Sequence, residues 1–453
     1  MREDAVSATP KNDAPQTQAP GVHPRPFWSL RPQSDRQSGD AVTSNFLLHW
    51  FPAKSFKASL AWGYSFWLGT TSAALLLLLT LSGLPLLFLY IPSVERAYAS
   101  VKDIEYVVAF GAWIRAVHRL SAHLMVAVVF LHLVRVFLTG AYKNGAGQGQ
   151  KREWNWVIGV GMLLLTLFLS FTGYLLPWDQ LAYWAITVGT NIASSVPMVG
   201  ASVRELLLGG RTIDQATLIR FYVLHCIFLP AGLGVLFLYH MWRVRKDGGL
   251  AKADHVALLA EKRPTEPSES KTYTLLGVAR GTAPTVRTVS LEAPDTTVNS
   301  IPDLTRRLAI VILGTIAVVS MLSVFVHAPL EEPANPLITP NPTKAPWYFL
   351  WLQEVVTDTT IHLGSFTING AFLGGVLLPS FLVALALAWP WLDRSPGVSA
   401  GVWFAASRKR QNAVFIAVVV LILILTFVGT FMRGPYWHFY WPWQQWPELP
   451  ARI

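Results

Sequence analysis

Seven stretches of the chain are almost uninterruptedly apolar, and each is long enough to cross a membrane. A helix rises 1.5 Å per residue, so about 20 apolar residues cover the roughly 30 Å of hydrocarbon in a bilayer. The pattern predicts an all-α integral membrane protein with seven transmembrane helices. The predicted spans lie near Leu60 to Tyr90, Trp113 to Leu138, Trp156 to Leu176, Ile219 to Trp242, Leu308 to Val326, Ala371 to Trp391 and Asn412 to Met432.

The polar segments between the spans predict how the chain crosses the membrane. Residues 1–43 are rich in Pro, Gln, Ser and Asp and have no apolar period, which is typical of a disordered tail. With this tail in the cytoplasm, lysine and arginine concentrate in the inside loops, as the positive-inside rule requires. Seven spans then leave the C-terminus outside, with the aromatic segment 436–453 at the outer interface. The inside charges are Lys143, Lys151, Arg152, Arg243, Arg245, Lys246, Lys252, Arg394, Arg408, Lys409 and Arg410.

The spans form two groups joined by a polar segment. Residues 44–245 contain four spans and residues 305–435 contain three, and the intervening residues 246–304 have the composition of a cytoplasmic linker. Asn45 to Lys57 mixes aromatic residues with lysines, which is typical of a short helix lying on the membrane surface. The outer loops Pro177 to Thr217 and Ala328 to Gly370 are long and rich in Trp, Tyr and Pro, which predicts ordered, functional loops.

Composition narrows the possible chemistry. Of the 453 residues only 14% are charged, against about 25% in soluble domains, and the net charge of +10 fits cytoplasmic loops facing anionic lipid rather than nucleic acid. The single cysteine, Cys226, excludes an internal disulfide, a c-type haem attachment and a cysteine-ligated iron–sulfur cluster made by this chain alone. A redox metal would therefore be held by histidine.

Four histidines occur at matched intervals on two spans. His118 and His132 lie fourteen residues apart on the second span, and His225 and His240 lie fifteen apart on the fourth. At 100° per residue each pair lies broadly on one helix face, about 21 Å apart along the axis. The two spans run in the same direction, so His118 faces His225 near the outside and His132 faces His240 near the inside. Two stacked bis-histidine pockets of this kind are the ligand set of low-spin haem iron.

Other uses of these histidines remain open. A single histidine in a membrane helix more often packs against a neighbouring helix or relays protons than binds haem. Zinc or copper also binds imidazole, but pairs about 21 Å apart cannot share one ion, and no carboxylates accompany them. His123, five residues past His118, is interpreted as a packing residue off the ligand face, and Cys226 as a small apolar core residue.

Glycines on the first and third spans repeat the interval of the second. Gly69 and Gly83 lie fourteen residues apart, as do Gly159 and Gly173. Glycine lets a flat macrocycle approach a helix closely, although glycines are also common in membrane helices for other reasons.

Arginines accompany the histidines on the same two spans. Near a haem they would pair with the propionates, whereas those at span ends can extend to the membrane surface instead. They are Arg115, Arg119, Arg135, Arg220 and Arg245.

Several segments resemble the cytochrome b family, over about residues 45 to 245 and 305 to 435. The fifteen-residue histidine interval is similar to the cytochrome b6 branch, and the last group of spans to its smaller partner, subunit IV. The chain thus resembles a fusion of the two. The segments are RAVHRLSAHLMVAVVFLHLVRVFLTGAYK (Arg115 to Lys143), FTGYLLPWDQLAYWA (Phe171 to Ala185), SVPMVG (Ser195 to Gly200), TLIRFYVLHCIFLP (Thr217 to Pro230) and EEPANPLITPNPTKAPWYFL (Glu331 to Leu350).

The resemblance implies a low-potential haem b between His118 and His225 and a high-potential haem b between His132 and His240. It also implies a quinone-reducing pocket near His132, His240 and Arg245. An outer quinol-oxidising pocket is implied within Pro177 to Trp184 and Pro346 to Tyr348, formed by Pro177, Trp178, Tyr183, Pro346, Trp347 and Tyr348.

Two departures from the family pattern affect these expectations. Trp67 stands where b6-type proteins carry a cysteine that attaches an extra haem, so no such covalent haem is expected. The family's Pro-Glu-Trp-Tyr motif is Ala345-Pro346-Trp347-Tyr348 here, and it lacks the glutamate thought to accept a quinol proton. Glu354, eight residues beyond Pro346 on a predicted surface helix, could substitute for it, or could be a solvated loop acid.

These features lead to one main hypothesis and two alternatives. The main one is the di-haem subunit of a bacterial bc-type quinol:cytochrome c oxidoreductase in the inner membrane, acting with a Rieske protein or a c-type cytochrome and, as in the family, dimeric. Quinol oxidation outside and quinone reduction inside would be coupled to proton translocation. The alternatives are a non-bifurcating carrier between quinone and a multihaem cytochrome, and a transporter whose histidines relay protons.

Overall fold

The computed structural model describes residues 32, 34–44, 51–52, 54–145, 150–247, 249–250, 297–363 and 366–447. Seven of its helices are long and apolar enough to cross a membrane, which confirms the predicted fold class. The helices run α1 Asp35–Ser44, α2 Trp62–Ser65, α3 Leu68–Leu89, α4 Ala97–Tyr106, α5 Gly111–Thr139, α6 Arg152–Tyr174, α7 Gln180–Ser194, α8 Gly200–Leu208, α9 Gln215–Lys246, α10 Ser300–Leu322, α11 Trp347–Asp358, α12 Gly370–Leu392 and α13 Ala406–Met432. The seven membrane-spanning helices are α3, α5, α6, α9, α10, α12 and α13.

The first four spans pack together in chain order. Helix α3 lies along α5, α5 contacts α6, and α6 lies along α9. Buried apolar residues such as Leu75, Leu78 and Met125 fill the contact between α3 and α5. The last three spans surround this group, with α10 against α3, α12 against α6, and α13 beneath the outer helix α11.

The long outer loops are ordered in the described residues, as their composition predicts, and each contains at least one helix. Helices α7 and α8 occupy the first loop and α11 the second. Asp179 caps α7 by accepting a hydrogen bond from the backbone N–H of Ala182 at 2.9 Å. Asp214 and Thr217 form a reciprocal capping box at the start of α9, which fixes where the fourth span begins.

Two short antiparallel sheets complete the fold. Strand β1, Lys54–Phe56, pairs with β2, Thr297–Asn299. Strand β3, Ile361–Leu363, pairs with β4, Phe366–Ile368, in the second outer loop.

The segment before the first span differs from the prediction. Residues 54–56 form strand β1 instead of a surface helix, and the first span begins at Leu68 rather than near Leu60, because Trp67 adopts a left-handed backbone conformation. Residues 35–44, predicted to be disordered, form α1, whose Ser38 hydroxyl donates to the Ile301 carbonyl at 2.7 Å. Both elements depend on contacts with residues 297–301, which are distant in sequence. Residues 1–31, 45–50 and 251–296, most of the predicted tail and linker, lie outside the described residues.

Candidate functional site: two histidine pairs and their surroundings

The outer histidine pair has a spacing that suits a metal between two imidazoles. The ring centroids of His118, on α5, and His225, on α9, are 6.3 Å apart with an interplanar angle of 78°. An imidazole nitrogen lies about 2.0–2.1 Å from a bound metal, so two rings on opposite sides of one ion have centroids roughly 6 to 6.5 Å apart. The pair therefore fits a bis-histidine site.

Hydrogen bonds hold both outer rings by the same nitrogen. His225 Nδ1 lies 3.1 Å from the Leu169 carbonyl oxygen, which can only accept. His118 Nδ1 lies 3.0 Å from the Ser82 hydroxyl, whose own hydrogen is donated to the Leu78 carbonyl at 2.6 Å. Nδ1 is thus the donor in each ring, which leaves Nε2 unprotonated and able to ligate a metal.

The inner pair lines a cavity of about 310 Å³. His132, His240 and Arg135 border this cavity, together with Trp67 and mainly apolar side chains. The Nδ1 atoms of both histidines and Nε of Arg135 are buried without a hydrogen-bond partner. An apolar cavity whose wall carries two imidazoles and a guanidinium suits haem, which combines an apolar ring, an iron and anionic propionates.

The ligand set does not suit a clustered metal site. Within the described part of the chain no group of three or more His, Cys, Asp or Glu side chains could hold an ion. Structural zinc takes four such ligands and catalytic zinc three. Paired histidines thus favour haem, as the sequence predicts.

Each of the four histidines packs against one of the four predicted glycines. A Cβ placed on Gly83 would lie 3.1 Å from Cε1 of His118, and one on Gly69 would lie 3.3 Å from Cε1 of His132. The corresponding distances from Gly173 and Gly159 to Cε1 of His225 and His240 are 2.5 and 3.8 Å. The glycines bring the neighbouring helices against the histidine rings themselves, a contact that the sequence analysis did not anticipate.

A π-turn explains the unequal histidine intervals. Residues Leu224–Phe228 of α9, which include His225, form one turn of π-helix. A π-turn inserts one residue relative to an α-helix, so it offsets the extra residue between His225 and His240. The fifteen-residue interval on α9 therefore matches the fourteen-residue interval on α5. π-turns often occur at functional sites.

The predicted arginines have different surroundings. Arg115 donates to Glu105 and to the carbonyls of Ala328 and Pro329, each at 2.7 Å, so a propionate contact would share a guanidinium that already has three partners. Arg135 stacks on Tyr64, 4.8 Å from its ring centroid.

The remaining three arginines lie at or near span ends. Arg119 lies within electrostatic range of Tyr174, Tyr348 and Asp179 at the outer side. Arg220 is exposed and packs against Gly209. Arg245 borders the inner cavity, as predicted for the quinone-reducing pocket.

The two outer loops predicted to form a quinol pocket are joined to each other. The Ala334 N–H donates to the Trp178 carbonyl at 3.1 Å, and the Gln180 N–H donates to the Glu332 carbonyl at 2.9 Å. Asp179 lies between Trp178 and Gln180 in the chain. Burial raises the pKa of Asp179, and hydrogen bonds from the backbone N–H groups of Ala182 and Glu331 partly offset this rise.

Aromatic side chains of the same two loops form the outer aromatic surface, which comprises Tyr183, Trp184, Trp347 and Tyr348. Tyr183 contacts Trp184, whose indole N–H donates to the Ile338 carbonyl at 3.0 Å. Trp347 and Tyr348 begin helix α11 directly after Pro346, its N-cap. Burial raises the pKa of Tyr348 to about 12, a hydrogen bond with Ser170 lowering it in part, so the phenol stays protonated at neutral pH.

Glu354 lies on α11 as predicted, but its carboxylate is already paired. It is 1% exposed, and both of its oxygens accept hydrogen bonds from Arg433, with Nε at 2.9 and 3.1 Å. Arg433 Nη2 also donates to the same carboxylate, and Nη1 donates to the Trp437 carbonyl at 3.3 Å. The ion pair joins α11 to the segment after α13.

His123 contacts the outer aromatic residues, which the sequence analysis did not foresee. Its Nδ1 accepts a hydrogen bond from the Trp347 indole at 3.1 Å, and its ring centroid lies 5.9 Å from that of Tyr348. Helical spacing alone placed it off the ligand face, and only the packing of α11 shows what it contacts there.

Comparison with known proteins agrees with these observations. Residues 54–248 match the family model described as cytochrome b/b6/petB, and residues 333–442 match that described as cytochrome b(C-terminal)/b6/petD.

Individual relatives match part of the chain. The chain is 44% identical over 167 residues to cytochrome b6 of Synechococcus elongatus and, to the same extent, to that of Gracilaria tenuistipitata var. liui, covering 37% of this chain and 75% of each relative. A solved structure titled hyperthermophilic respiratory Complex III superposes with a TM-score of 0.61 and 26% identity, covering 81% of this chain and 84% of the other. The chain therefore belongs to the cytochrome b/b6 family, with a b6-like part and a subunit IV-like part fused in one polypeptide.

Proposed function

We propose that this chain is the di-haem membrane subunit of a bc-type complex, which oxidises quinol at the outer side, reduces quinone at the inner side and carries electrons between the two. Membership of the family makes the chain a multi-pass, haem b-binding electron-transfer subunit. The observation that carries the proposal is the pair of glycine-backed histidine sites, with outer centroids 6.3 Å apart and an inner cavity of about 310 Å³.

The histidines hold the cofactors in this account. His118 and His225 would ligate the outer, low-potential haem and His132 and His240 the inner, high-potential one, each through Nε2. Haem b, when bound, supplies a reversible one-electron carrier. Arg135, with its unpartnered Nε and its position on the inner cavity wall, would pair with a propionate.

The outer loops provide the quinol pocket. Pro177, Trp178, Tyr183, Trp347 and Tyr348 supply apolar and aromatic surface that excludes water, and the protonated Tyr348 phenol can donate a hydrogen bond to a ring oxygen.

At the inner side, Arg245 and His240 border a cavity that also contains Asp247. Asp247 pairs with Arg243 at 2.7 Å. Arg245 can donate a hydrogen bond to a quinone carbonyl and Asp247 can relay protons from the cytoplasmic side, while His240 serves as a haem ligand. Moving one charge across the membrane costs about 2.3 kcal/mol per 100 mV, so oxidation outside and reduction inside conserve free energy as a proton gradient.

The proposed partner carries a one-electron acceptor at the outer side. Quinol releases two electrons, and this chain offers a path for one of them. We infer a Rieske or c-type cytochrome partner, which is consistent with the likeness to a respiratory Complex III. The lysine and arginine distribution supports a cytoplasmic N-terminus and an outer C-terminus. We further propose, from the family resemblance, that the complex is a dimer in a bacterial inner membrane.

A second candidate keeps the haems but not the bifurcation. Residues 345–348 lack a glutamate, and Glu354 would have to leave Arg433 to accept a proton. Both observations favour a carrier that passes electrons from quinol to a multihaem cytochrome without splitting them. The two functions differ in whether half of the electrons reach quinone at the inner side.

A redox titration of ligand variants tests the proposal. The wild-type complex is expected to show two b-type haem transitions, and quinol is expected to reduce at least one of them. His118→Ala should remove the low-potential transition and His132→Ala the high-potential one, each leaving the other. Loss of neither, or of both in each variant, would contradict the assignment of the pairs.

A further inference from the structure

We propose that His123 is the proton acceptor for quinol oxidation in the outer pocket. The inference rests on the proposed function and deepens it. Oxidising a hydroquinone requires a base within hydrogen-bonding reach of the ring oxygen, and general-base catalysis typically contributes 10²–10⁴-fold to a rate. The titratable groups that the structure places at the outer aromatic surface differ sharply in how fully their lone pairs are used.

The two buried carboxylates near this surface have firm partners. Glu354 is fully buried, and its oxygens are taken up by Arg433 through two guanidinium nitrogens. Asp179 accepts the N–H of Ala182 at 2.9 Å and that of Glu331 at 3.3 Å, bonds that cap α7 and join the two outer loops. Using either carboxylate as a base would break a contact that holds the pocket together.

The Nδ1 lone pair of His123 faces the outer aromatic surface and accepts one weak hydrogen bond. Among the described residues, Nδ1 accepts a hydrogen bond from the indole of Trp347 alone, and that side chain is 40% exposed at the first turn of α11. A single neutral N–H···N bond from a partly exposed indole is worth far less than a buried bidentate ion pair. A quinol hydroxyl can therefore displace the indole and donate to the same nitrogen.

The surroundings of His123 also assist the loss of the proton afterwards. Arg119 lies one turn earlier on α5, and Tyr348 contacts the ring from α11 at 5.9 Å between centroids. The positive charge of Arg119 disfavours a lasting imidazolium, whereas the neutral phenol of Tyr348 can hold the second quinol oxygen or a water.

The step balances as a coupled transfer. One O–H bond of the hydroquinone breaks, its proton forms an N–H bond at Nδ1, and one electron passes to the one-electron acceptor of the outer-side partner. In a following step the second hydroxyl proton passes to water at the outer side, and the second electron would enter the path through this chain that begins at the His118–His225 pair. The imidazolium then releases its proton to the outside, and the Trp347 indole returns to Nδ1.

Three variants of the purified, haem-loaded complex test this role, with a short-chain synthetic hydroquinone as the substrate. His123→Gln keeps an acceptor for Trp347 but cannot take a proton, and it should slow quinol oxidation about 100-fold with unchanged haem spectra and midpoint potentials. His123→Glu restores a base and should recover much of the rate, with the acid limb of its pH profile at a different pH from that of the wild type. His438→Gln is the control, since it makes the same substitution at an exposed histidine outside the pocket, and it should keep the wild-type rate.

The outcomes separate this inference from the proposed function. A wild-type complex that does not oxidise the hydroquinone at all refutes the proposed function. If the wild type is active and His123→Gln oxidises quinol at its rate, only the role of His123 fails. If His123→Gln does not assemble, His123→Glu decides: a pH profile identical to that of the wild type overturns the proposal.

Discussion

At the scale of single residues, the four glycines show what a sequence interval can predict about contacts and what it cannot. Intervals of fourteen residues on α3 and α6 predict that Gly69, Gly83, Gly159 and Gly173 belong with the histidines, and each does pack against one imidazole. The tightness of each contact could not be predicted, because it depends on how closely two helices approach. A Cβ at Gly173 would lie 2.5 Å from its histidine and one at Gly159 would lie 3.8 Å from its own.

This difference predicts unequal effects of the same substitution. Gly173→Ala should displace the His225 ring at a cost of about 1–3 kcal/mol, the usual range for overpacking, and thereby lower occupancy of the outer haem. Gly159→Ala is the matched control, since 3.8 Å is an ordinary van der Waals contact, and it should retain both haems. Haem content per chain measures both variants, and equal occupancy in the two would contradict the contact argument.

His123 and Glu354 show where residue-level sequence reasoning reaches its limit. Sequence spacing places Glu354 on the helix that follows the aromatic motif, and that placement holds. Its partner Arg433 lies 79 residues further along the chain, and the indole that bonds His123 lies 224 residues away. Tertiary packing, which no local pattern encodes, therefore decides whether His123 or Glu354 has an accessible lone pair.

At the scale of elements, hydrophobic length alone predicts the seven spans, because a bilayer imposes that length. The same reasoning cannot predict the π-turn at Leu224–Phe228, since an extra residue between two histidines looks the same in sequence wherever it is absorbed. It also misses strand β1, whose hydrogen-bonding partner β2 is more than 240 residues distant.

The π-turn predicts that where a residue is deleted decides the result. Deleting Ile227, within the π-turn, should convert it to regular α-helix and keep His225 and His240 on one face, so that both haems bind. Deleting Val235, in the regular helix, should rotate one histidine by about 100° relative to the other and cost one haem. Both residues are exposed on the span, which makes them a matched pair for reduced-minus-oxidised spectra. Retention of two haems in both deletions would contradict the role of the π-turn.

At the scale of the whole molecule, the two family parts are locked together at both faces. Outside, Trp178 and Gln180 hydrogen-bond the loop at 332–334. Inside, Asp393, after α12, accepts from the Tyr142 hydroxyl at 2.6 Å and from Arg408 at 3.1 Å, and both charged side chains are fully buried. Sequence composition predicts two parts and a linker. It does not predict the contacts between the two parts, because composition does not distinguish Asp393 and Arg408 from other charged residues of the inside loops.

Asp393 should control how this inner joint responds to pH. Burial alone would raise its pKa, but hydrogen bonds from Ser395 and Tyr142, with the charge of Lys143, hold the pKa of Asp393 well below its usual 3.8. A carboxylate with a depressed pKa contributes stability above its unfolded pKa and loses that contribution as pH falls through the folded value.

We therefore expect Asp393→Asn to destabilise the protein by about 3–5 kcal/mol at neutral pH, because it leaves Arg408 buried without its partner. The difference in unfolding free energy between Asp393→Asn and the wild type should be constant from pH 8 to 5 and should shrink only below about pH 4. Asp358→Asn is the control: its side chain is 53% exposed, and the change should cost at most about 1 kcal/mol. Thermal denaturation in detergent reports both, and equal midpoints for the two variants would contradict the buried joint.

The account as a whole depends on four histidines holding two haems in one chain. The most direct measurement is haem b content per polypeptide together with a potentiometric titration of the purified wild-type protein. We predict two haems per chain and two separate one-electron midpoint potentials. A fully loaded protein with one haem, or with no b-type absorbance band, would contradict it.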